Sequence, residues 1–185
     1  MQCDVHHIQQ ILNGDAEKAI YFLVEKYEKQ IFNLCFRIIK VREVAEEVAQ
    51  DAFLKAFREL IKLEDHSKFE IWLCRIAYHL SIDVVRKKKR QFTKLEHITL
   101  TGEDSSIKSL IQVDRQKAIE MVLLKIPSDD AGLITLYYLN EMNIKEVAQI
   151  TGLSQSNVKV KLLRARKLLK ELLNMKFKAE VYELY

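Results

Sequence analysis

The spacing of apolar residues in one stretch of this chain constrains its fold more than any other feature. Between Val41 and Leu60 the apolar side chains recur every three or four positions, which places them on one face of an α-helix. A half-buried strand would instead alternate apolar and polar residues. The apolar positions of this helix are Val41, Val44, Ala45, Val48, Ala49, Ala52, Phe53, Ala56, Phe57 and Leu60.

The same periodicity predicts helices along most of the chain. A long helix is expected from about Asp15 to Ile39, a short one before Gly14, and a fourth from near Ser67 into a basic run at 86–90. The 185 residues include one Pro and four Gly, too few turn formers for a sandwich or a barrel. We therefore predict an all-α fold whose first 92 residues form a helical bundle.

Residues 93–113 interrupt this pattern. They are rich in Ser and Thr and lack strong periodicity, as is typical of a flexible linker between two domains. The predicted domains are therefore residues 1–92 and 114–185. In the second, helices are expected to resume near Asp114, stop at Pro127, restart behind a capping Ser128 and divide once more at 151–154.

Localisation and cofactor chemistry can also be addressed from the sequence. No apolar run reaches the ~18 residues of a membrane span, and the first residues do not resemble a signal peptide, so we expect a cytoplasmic protein without membrane insertion. Cys3, Cys35 and Cys74 are too widely spaced for a disulfide framework and are expected to be reduced. Cys3, His6 and His7 lack further ligands, so neither a metal nor another cofactor is predicted.

The stretch from Ile144 to Arg164 has the spacing of a helix-turn-helix. This motif needs a small residue where its helices touch, a Gly that can adopt positive φ at the turn, and a branched apolar residue in the second helix. Ala148, Gly152 and Val158 stand at these positions, and the basic residues that follow favour DNA binding. Asn143 and Ser154 are suitable N-caps for the two helices. The inner face is formed by Val147, Ile150, Leu153 and Leu162.

A helical wheel indicates which side of the second helix would face DNA. Val160 and Leu163 point outward, where apolar residues are either ordinary surface scatter or contacts to thymine methyl groups and a partner protein. The predicted buried stripe is Val158, Leu162, Ala165, Leu169 and Leu172, and the outward polar set is Ser156, Lys159, Arg164, Lys167 and Lys170.

Two features of the first domain have a functional and a neutral interpretation. The helix from Phe69 to Arg90 is apolar on most sides but carries one charged strip, formed by Arg75, His79, Asp83, Arg86 and Arg90. The strip fits either a groove that holds a nucleic-acid strand or a solvated face. Leu54 lies opposite the apolar stripe of its helix among charged residues. It is either a partner-binding anchor or a stray surface residue.

Three segments together carry a resemblance to a known family. They are 43–57 (EVAEEVAQDAFLKAF), 69–77 (FEIWLCRIA) and 152–166 (GLSQSNVKVKLLRAR). In this order and spacing they resemble the bacterial sigma factors of the extracytoplasmic-function group, over nearly the whole chain apart from 93–113 and the tail after Leu173.

The resemblance implies a transcription initiation factor that binds core RNA polymerase and promoter DNA, and relatives are commonly held inactive by an anti-sigma factor. It implies a region 2 domain at 1–92 and a region 4 domain at 114–185. The polymerase-binding residues would be Glu47, Gln50, Asp51, Leu54 and Arg58. The minus-ten element would be captured as a flipped base and an opened strand by Leu63, Glu64, Asp65, His66, Ser67, Lys68, Arg75, His79, Arg86, Lys87 and Arg90. The minus-thirty-five element would be read by Ser154, Gln155, Ser156, Asn157, Lys159, Val160, Lys161, Leu163, Arg164 and Lys167.

Two other function classes compete with this one. A helix-turn-helix regulator that acts without polymerase would explain residues 114–185, but it leaves the charged strip and the Leu54 face as coincidences. An enzyme would need a nucleophile elbow, a phosphate loop or a metal-spaced set of ligands, and the sequence has none of these patterns. We therefore expect no catalytic activity.

Overall fold

The computed structural model describes residues 2–94 and 120–182, with side chains described for 4–91 and 120–175. The described residues form helices and turns without a strand, as predicted. The predicted linker at 93–113 lies outside them except for its first two residues, which belong to the fourth helix. The helices are α1 (Gln2–Leu12), α2 (Glu17–Ile39), α3 (Arg42–Arg58), α4 (Phe69–Lys94), α5 (Ser128–Ile134), α6 (Ile144–Thr151) and α7 (Gln155–Tyr182).

The first domain is a bundle in which α2, α3 and α4 pack against one another. Its core holds the apolar stripe predicted for α3, including Ala45, Ala52 and Ala56, which are fully buried. Helix α1 is attached to α2 by the buried Asp4 carboxylate, which accepts hydrogen bonds from Lys26 Nζ at 2.6 Å and from the Tyr27 hydroxyl at 2.9 Å. The first four helices therefore form one body.

The second domain contains α5, α6 and α7 as predicted, and residues 120–123 are the described end of the helix expected from Asp114, whose earlier part lies outside the described residues. One correction concerns the start of α5. Ser128 is the first helical residue and makes no capping hydrogen bond, because the extended conformation of an N-cap falls on Pro127 (φ −50°, ψ 141°). At its other end α5 continues into a π-helical turn, Thr135–Leu139, closed by a hydrogen bond from Asn140 N to Thr135 O at 2.9 Å.

The two domains share a hydrophobic core. Leu133, Leu136, Val147 and Ile150 of the second domain belong to the same cluster of buried side chains as the interior of the first. Helix α5 packs on α2, and α6 packs on α4. The described parts of the chain thus form one compact molecule in which the helix-turn-helix lies against the bundle.

Candidate nucleic-acid and partner interfaces

The charged strip on α4 is exposed along its length. Arg75, His79, Asp83, Arg86 and Arg90 all reach solvent, because the opposite faces of the helix are used in the core. Burial lowers the pKa of His79 and the nearby Arg75 lowers it further, while the nearby Asp83 and then the backbone of Ile150 oppose both effects. Arg75, Arg86 and Arg90 are the cations of this strip, with Asp83 between the first two, and an anionic strand could lie along them.

The loop before α4 is folded into two short 3-10 turns, Leu60–Lys62 and His66–Lys68. The Asp65 carboxylate caps the second turn: it accepts the Ser67 backbone N–H at 3.1 Å and pairs with Lys68 Nζ at 3.0 Å. These contacts, chiefly the hydrogen bond from the Ser67 side chain, lower the pKa of Asp65 to about 2. Asp65 therefore stays ionised, and its charge is offset by Lys68 within the same loop.

One residue predicted to contact the minus-ten element lies in the core instead. Leu63 has 9% of its surface exposed and belongs to the hydrophobic cluster of the bundle. The 3-10 turn at Leu60–Lys62 directs it inward, so its side chain is not available to DNA. Glu64, Asp65, Ser67 and Lys68 are exposed and His66 is half-buried.

The polar face of α3 carries an exposed apolar residue. Leu54 is 61% exposed, whereas its neighbour Phe53 is 8% exposed. Ile61, seven residues further on, is 83% exposed and was not identified from the sequence. Its exposure could have been inferred from its position between Leu60 and Leu63, because both of these residues face inward. The exposed polar residues on this face are Glu47, Gln50, Asp51 and Arg58.

The helix-turn-helix has the predicted caps and turn. Asn143 Oδ1 accepts the N–H groups of Lys145 and Glu146 at 2.9 and 3.1 Å, and the Glu146 carboxylate accepts the Asn143 N–H at 2.8 Å. This capping box starts α6. Gly152 ends it with φ 74°, in the left-handed region that favours glycine. Ser154 Oγ then accepts the Asn157 N–H at 3.2 Å at the start of α7.

Helix α7 turns its apolar stripe inward and its basic face outward. Val158, Leu162 and Ala165 are buried and Leu169 and Leu172 are half-buried, as predicted. Of the residues predicted to read DNA, Lys161 is half-buried and the others are exposed: Ser154, Gln155, Ser156, Asn157, Lys159, Val160, Leu163, Arg164 and Lys167.

One contact and one electrostatic interaction of α7 were not predicted. The Arg166 guanidinium lies 5.7 Å from the centre of the Tyr138 ring, in the geometry of a cation–π interaction. Burial raises the pKa of Asp130, and the nearby Lys161 and Arg164 oppose that effect. The cation–π contact ties α7 to the segment at 128–139.

The described residues contain no group of three His, Cys, Asp or Glu side chains that could hold a metal ion. Cys35 and Cys74 are buried and unpaired. Burial raises the pKa of the Cys35 thiol to about 11, and it also raises the pKa of Cys74, so both are unreactive. The side chain of Cys3 lies outside the described residues.

Family models match each half of the chain, and known sigma factors match most of its length. The sigma-70 region 2 model matches residues 23–91 and the sigma-70 region 4 model matches 116–169. The sigma factor SigM of Bacillus subtilis is 31% identical over 153 residues, which cover 82% of this chain and 93% of SigM. The chain belongs to the extracytoplasmic-function sigma factors.

Further relatives extend the similarity to both domains of this sigma factor. SigW of Bacillus subtilis is 29% identical over 179 residues, covering 89% of this chain and 93% of SigW. The structure of the present chain is similar to that of the sigma factor RpoE of Bartonella quintana in complex with the anti-sigma factor NepR (TM-score 0.66, 22% identity). The match covers 85% of this chain and 98% of the RpoE chain. The chain is also similar in structure to CnrH in complex with the cytosolic domain of CnrY (TM-score 0.65, 20% identity, 94% and 98%).

Family membership establishes the general function. This sigma factor is a transcription initiation factor that binds core RNA polymerase and directs it to promoter DNA. Such factors regulate transcription, and RNA synthesis itself is catalysed by the polymerase. No helix in the described ranges is long and apolar enough to cross a membrane.

Proposed function

We propose that the sigma factor divides its work among three surfaces, of which the first docks on core polymerase. This is the polar face of α3, Glu47, Gln50, Asp51, Leu54 and Arg58. Leu54 supports the assignment, because a large apolar side chain that is 61% exposed among charged residues gains most when a partner buries it. Ile61 extends the apolar contact.

The second surface holds the opened strand of the minus-ten element. It consists of the loop at 64–68 and the strip on α4, Arg75, His79, Arg86, Lys87 and Arg90. A base can enter a loop pocket once it has been unstacked, and the strip then neutralises the phosphates that follow. The ion pair of Asp65 with Lys68 at 3.0 Å offsets the negative charge that a strand would meet at this loop.

The third surface reads the minus-thirty-five element as duplex. The exposed residues at the start of α7 lie where a recognition helix enters the major groove. The observation that carries the whole assignment is the presence, in one molecule, of this helix and of a separate cationic strip on α4. A regulator of duplex DNA alone would need only the helix-turn-helix.

The functional units are residues 1–92 for polymerase and minus-ten binding, 93–113 as a linker and 114–185 for minus-thirty-five binding. The factor acts in the cytoplasm, where the polymerase and the chromosome are. An anti-sigma factor is a further expected partner, because a solved structure with this fold is a complex with one.

Size-exclusion chromatography with core polymerase tests the docking surface. We expect wild type to co-elute with core polymerase without DNA, and we expect a smaller fraction of Leu54→Ala to co-elute when the proteins are mixed near the wild-type Kd. Arg164→Ala is the matched control: it alters a different surface and should co-elute like wild type. Co-elution of a folded Leu54→Ala protein to the same extent as wild type would reject α3 as the docking surface.

A further inference from the structure

A polar cavity lies between the helical bundle and the turn that follows the π-helical segment. Its volume is about 440 Å³, which is within the range of small-ligand sites. We call it the interdomain cavity, because both domains line it. The residues that matter below are Gln30, Arg37 and Glu70 from the bundle and Leu139, Asn140 and Glu141 from the turn. None of them belongs to the surfaces proposed for polymerase or promoter DNA.

One end of the interdomain cavity is basic. Arg37 of α2 is half-buried there, and burial lowers its pKa while the nearby Glu120 opposes that effect. Within the described residues no carboxylate lies at ion-pair distance from the Arg37 guanidinium. A partly desolvated guanidinium with free N–H groups is suited to a carboxylate, which it can hold through two parallel hydrogen bonds.

The other end of the cavity is acidic. Gln30 Nε2 donates a hydrogen bond of 2.8 Å to Glu70 Oε1, which fixes the Glu70 carboxylate beside the start of this stretch of α2. An ionised carboxylate can accept further hydrogen bonds, so Glu70 can still receive a donor from a ligand. Gln30 and Arg37 are seven residues, about 10 Å, apart along α2. A carboxylate and a cation therefore stand at opposite ends of the cavity.

The turn on the opposite wall has two unusual residues. Glu141 has a φ of 54°, in the left-handed region that favours glycine, and such strained residues cluster at ligand sites. The Nδ2 amide of its neighbour Asn140 is buried, and no atom in the described part of the chain accepts a hydrogen bond from it. Leu139, which is 44% exposed, adds an apolar surface. The turn thus supplies a second carboxylate and an unsatisfied donor.

These groups restrict the chemistry of a ligand. A simple anion would meet the carboxylates of Glu70 and Glu141 against one guanidinium. A simple cation would leave the donors of Arg37 and Asn140 unsatisfied, which costs free energy. A ligand that satisfies both sets carries an ammonium at one end and a carboxylate at the other. An extended peptide of three residues spans about 10 Å, the separation of the two ends along α2.

We propose that the interdomain cavity is a binding site for a short peptide with free termini, about three residues long. The Arg37 guanidinium holds the peptide carboxylate, and the carboxylates of Glu70 and Glu141 hold its ammonium group. Oxygen atoms of the peptide give the Asn140 amide an acceptor. The bound peptide contacts both domains, so it stabilises the folded molecule in proportion to its occupancy.

Isothermal titration calorimetry of the full-length protein with trialanine tests this proposal. We expect saturable binding at millimolar concentration or below. N-acetyl-trialanine and trialaninamide each lack one terminal charge and should bind roughly tenfold more weakly, the scale of one lost hydrogen bond to a charged group. Free alanine is too short to reach both ends and should also bind at least about tenfold more weakly. In 15N-labelled protein, trialanine should shift the side-chain amide resonances of Asn140.

Three variants locate the peptide termini. Arg37→Ala and Glu70→Gln should each weaken trialanine binding about tenfold, and the exposed residues of α2 provide the matched controls Lys18→Ala and Glu28→Gln, which should bind like wild type. Glu141→Gly removes the second carboxylate and relieves the positive φ. It should weaken binding without lowering the melting temperature of the free protein, so a folding defect cannot explain the loss.

The contrary results are equally specific. Absence of saturable trialanine binding by the wild type would overturn the site. Equal affinity for trialanine and its two blocked forms, or wild-type affinity in folded Arg37→Ala and Glu70→Gln proteins, would overturn recognition by the peptide termini. None of these measurements involves polymerase or DNA, so failure here leaves the three proposed surfaces unaffected.

Discussion

Neighbouring residues of α3 have opposite roles, which can be separated experimentally. Phe53 is 8% exposed and stacks with Phe57 at 6.2 Å between ring centres, whereas Leu54 is 61% exposed. Truncation of the first creates a cavity in the bundle, and truncation of the second removes only exposed surface. Two adjacent alanine substitutions therefore distinguish binding from stability.

Leu54→Ala should weaken binding to core polymerase by about 1–2 kcal/mol, the scale of a partly buried anchor, and leave the melting temperature unchanged. Phe53→Ala should instead destabilise the first domain by about 3–5 kcal/mol. Affinity is measured by titration of labelled polymerase, and stability by thermal and urea unfolding. A folded Leu54→Ala protein with wild-type affinity would contradict the role given to Leu54.

Val160 is the residue whose role in specificity can be tested most directly. It is 46% exposed, lies one turn into α7 and presents branched methyl groups that can pack on a thymine methyl. Val160→Ser should change the preference at one upstream base pair by about 1 kcal/mol, the low end of base discrimination. Lys159→Ala, a matched change of a phosphate contact, should weaken all sequences alike.

Selection from randomised upstream elements measures both effects. We expect wild type and Lys159→Ala to select the same motif, and Val160→Ser to differ from both at one position. Identical motifs from all three proteins would show that Val160 is ordinary surface.

At the scale of the element, α4 combines a buried apolar body with an exposed row of cations. Its strip should bind single strands mainly through phosphate neutralisation and counterion release. Replacing two cations, Arg75→Ala with Arg86→Ala, should reduce the slope of log affinity against log salt by roughly 0.7 per lost contact. Affinities at several salt concentrations give this slope. An unchanged slope would leave the strip without a role in strand binding.

The helices themselves could be predicted because their signals are local. The apolar spacing placed α2, α3 and α6 within a few residues, and Asn143, Gly152 and Ser154 marked the ends of the helix-turn-helix. Short turns were harder. Leu63 was expected at the DNA and is buried, and Ser128 was expected as a cap that Pro127 replaces, because a turn's geometry depends on several residues at once.

At the scale of the whole molecule, the packing of the two domains was not predictable from periodicity. The contacts that define it join residues far apart in the sequence, such as Lys40 with Ile126 and Gly132 with Tyr78. Gly132 sits in the middle of a helical pattern with no local reason for glycine. Only the position of the other domain explains it.

The same scale determines how the surfaces cooperate. The proposed docking face of α3, the α4 strip and the outer face of α7 all reach solvent in one compact molecule. Polymerase docking, strand capture and duplex reading are therefore assigned to separate surfaces. The proposed use of three surfaces distinguishes the factor from a simple duplex-binding regulator.

The central claim is that this chain directs core RNA polymerase to specific promoters. It is tested most directly by in vitro transcription with core polymerase on fragments of the source genome, with sequencing of the RNA 5′ ends with and without the protein. We predict discrete start sites that appear only with the protein, that share an upstream motif, and that weaken with Leu54→Ala when the protein is limiting. Start sites that are the same with and without the protein would contradict the account.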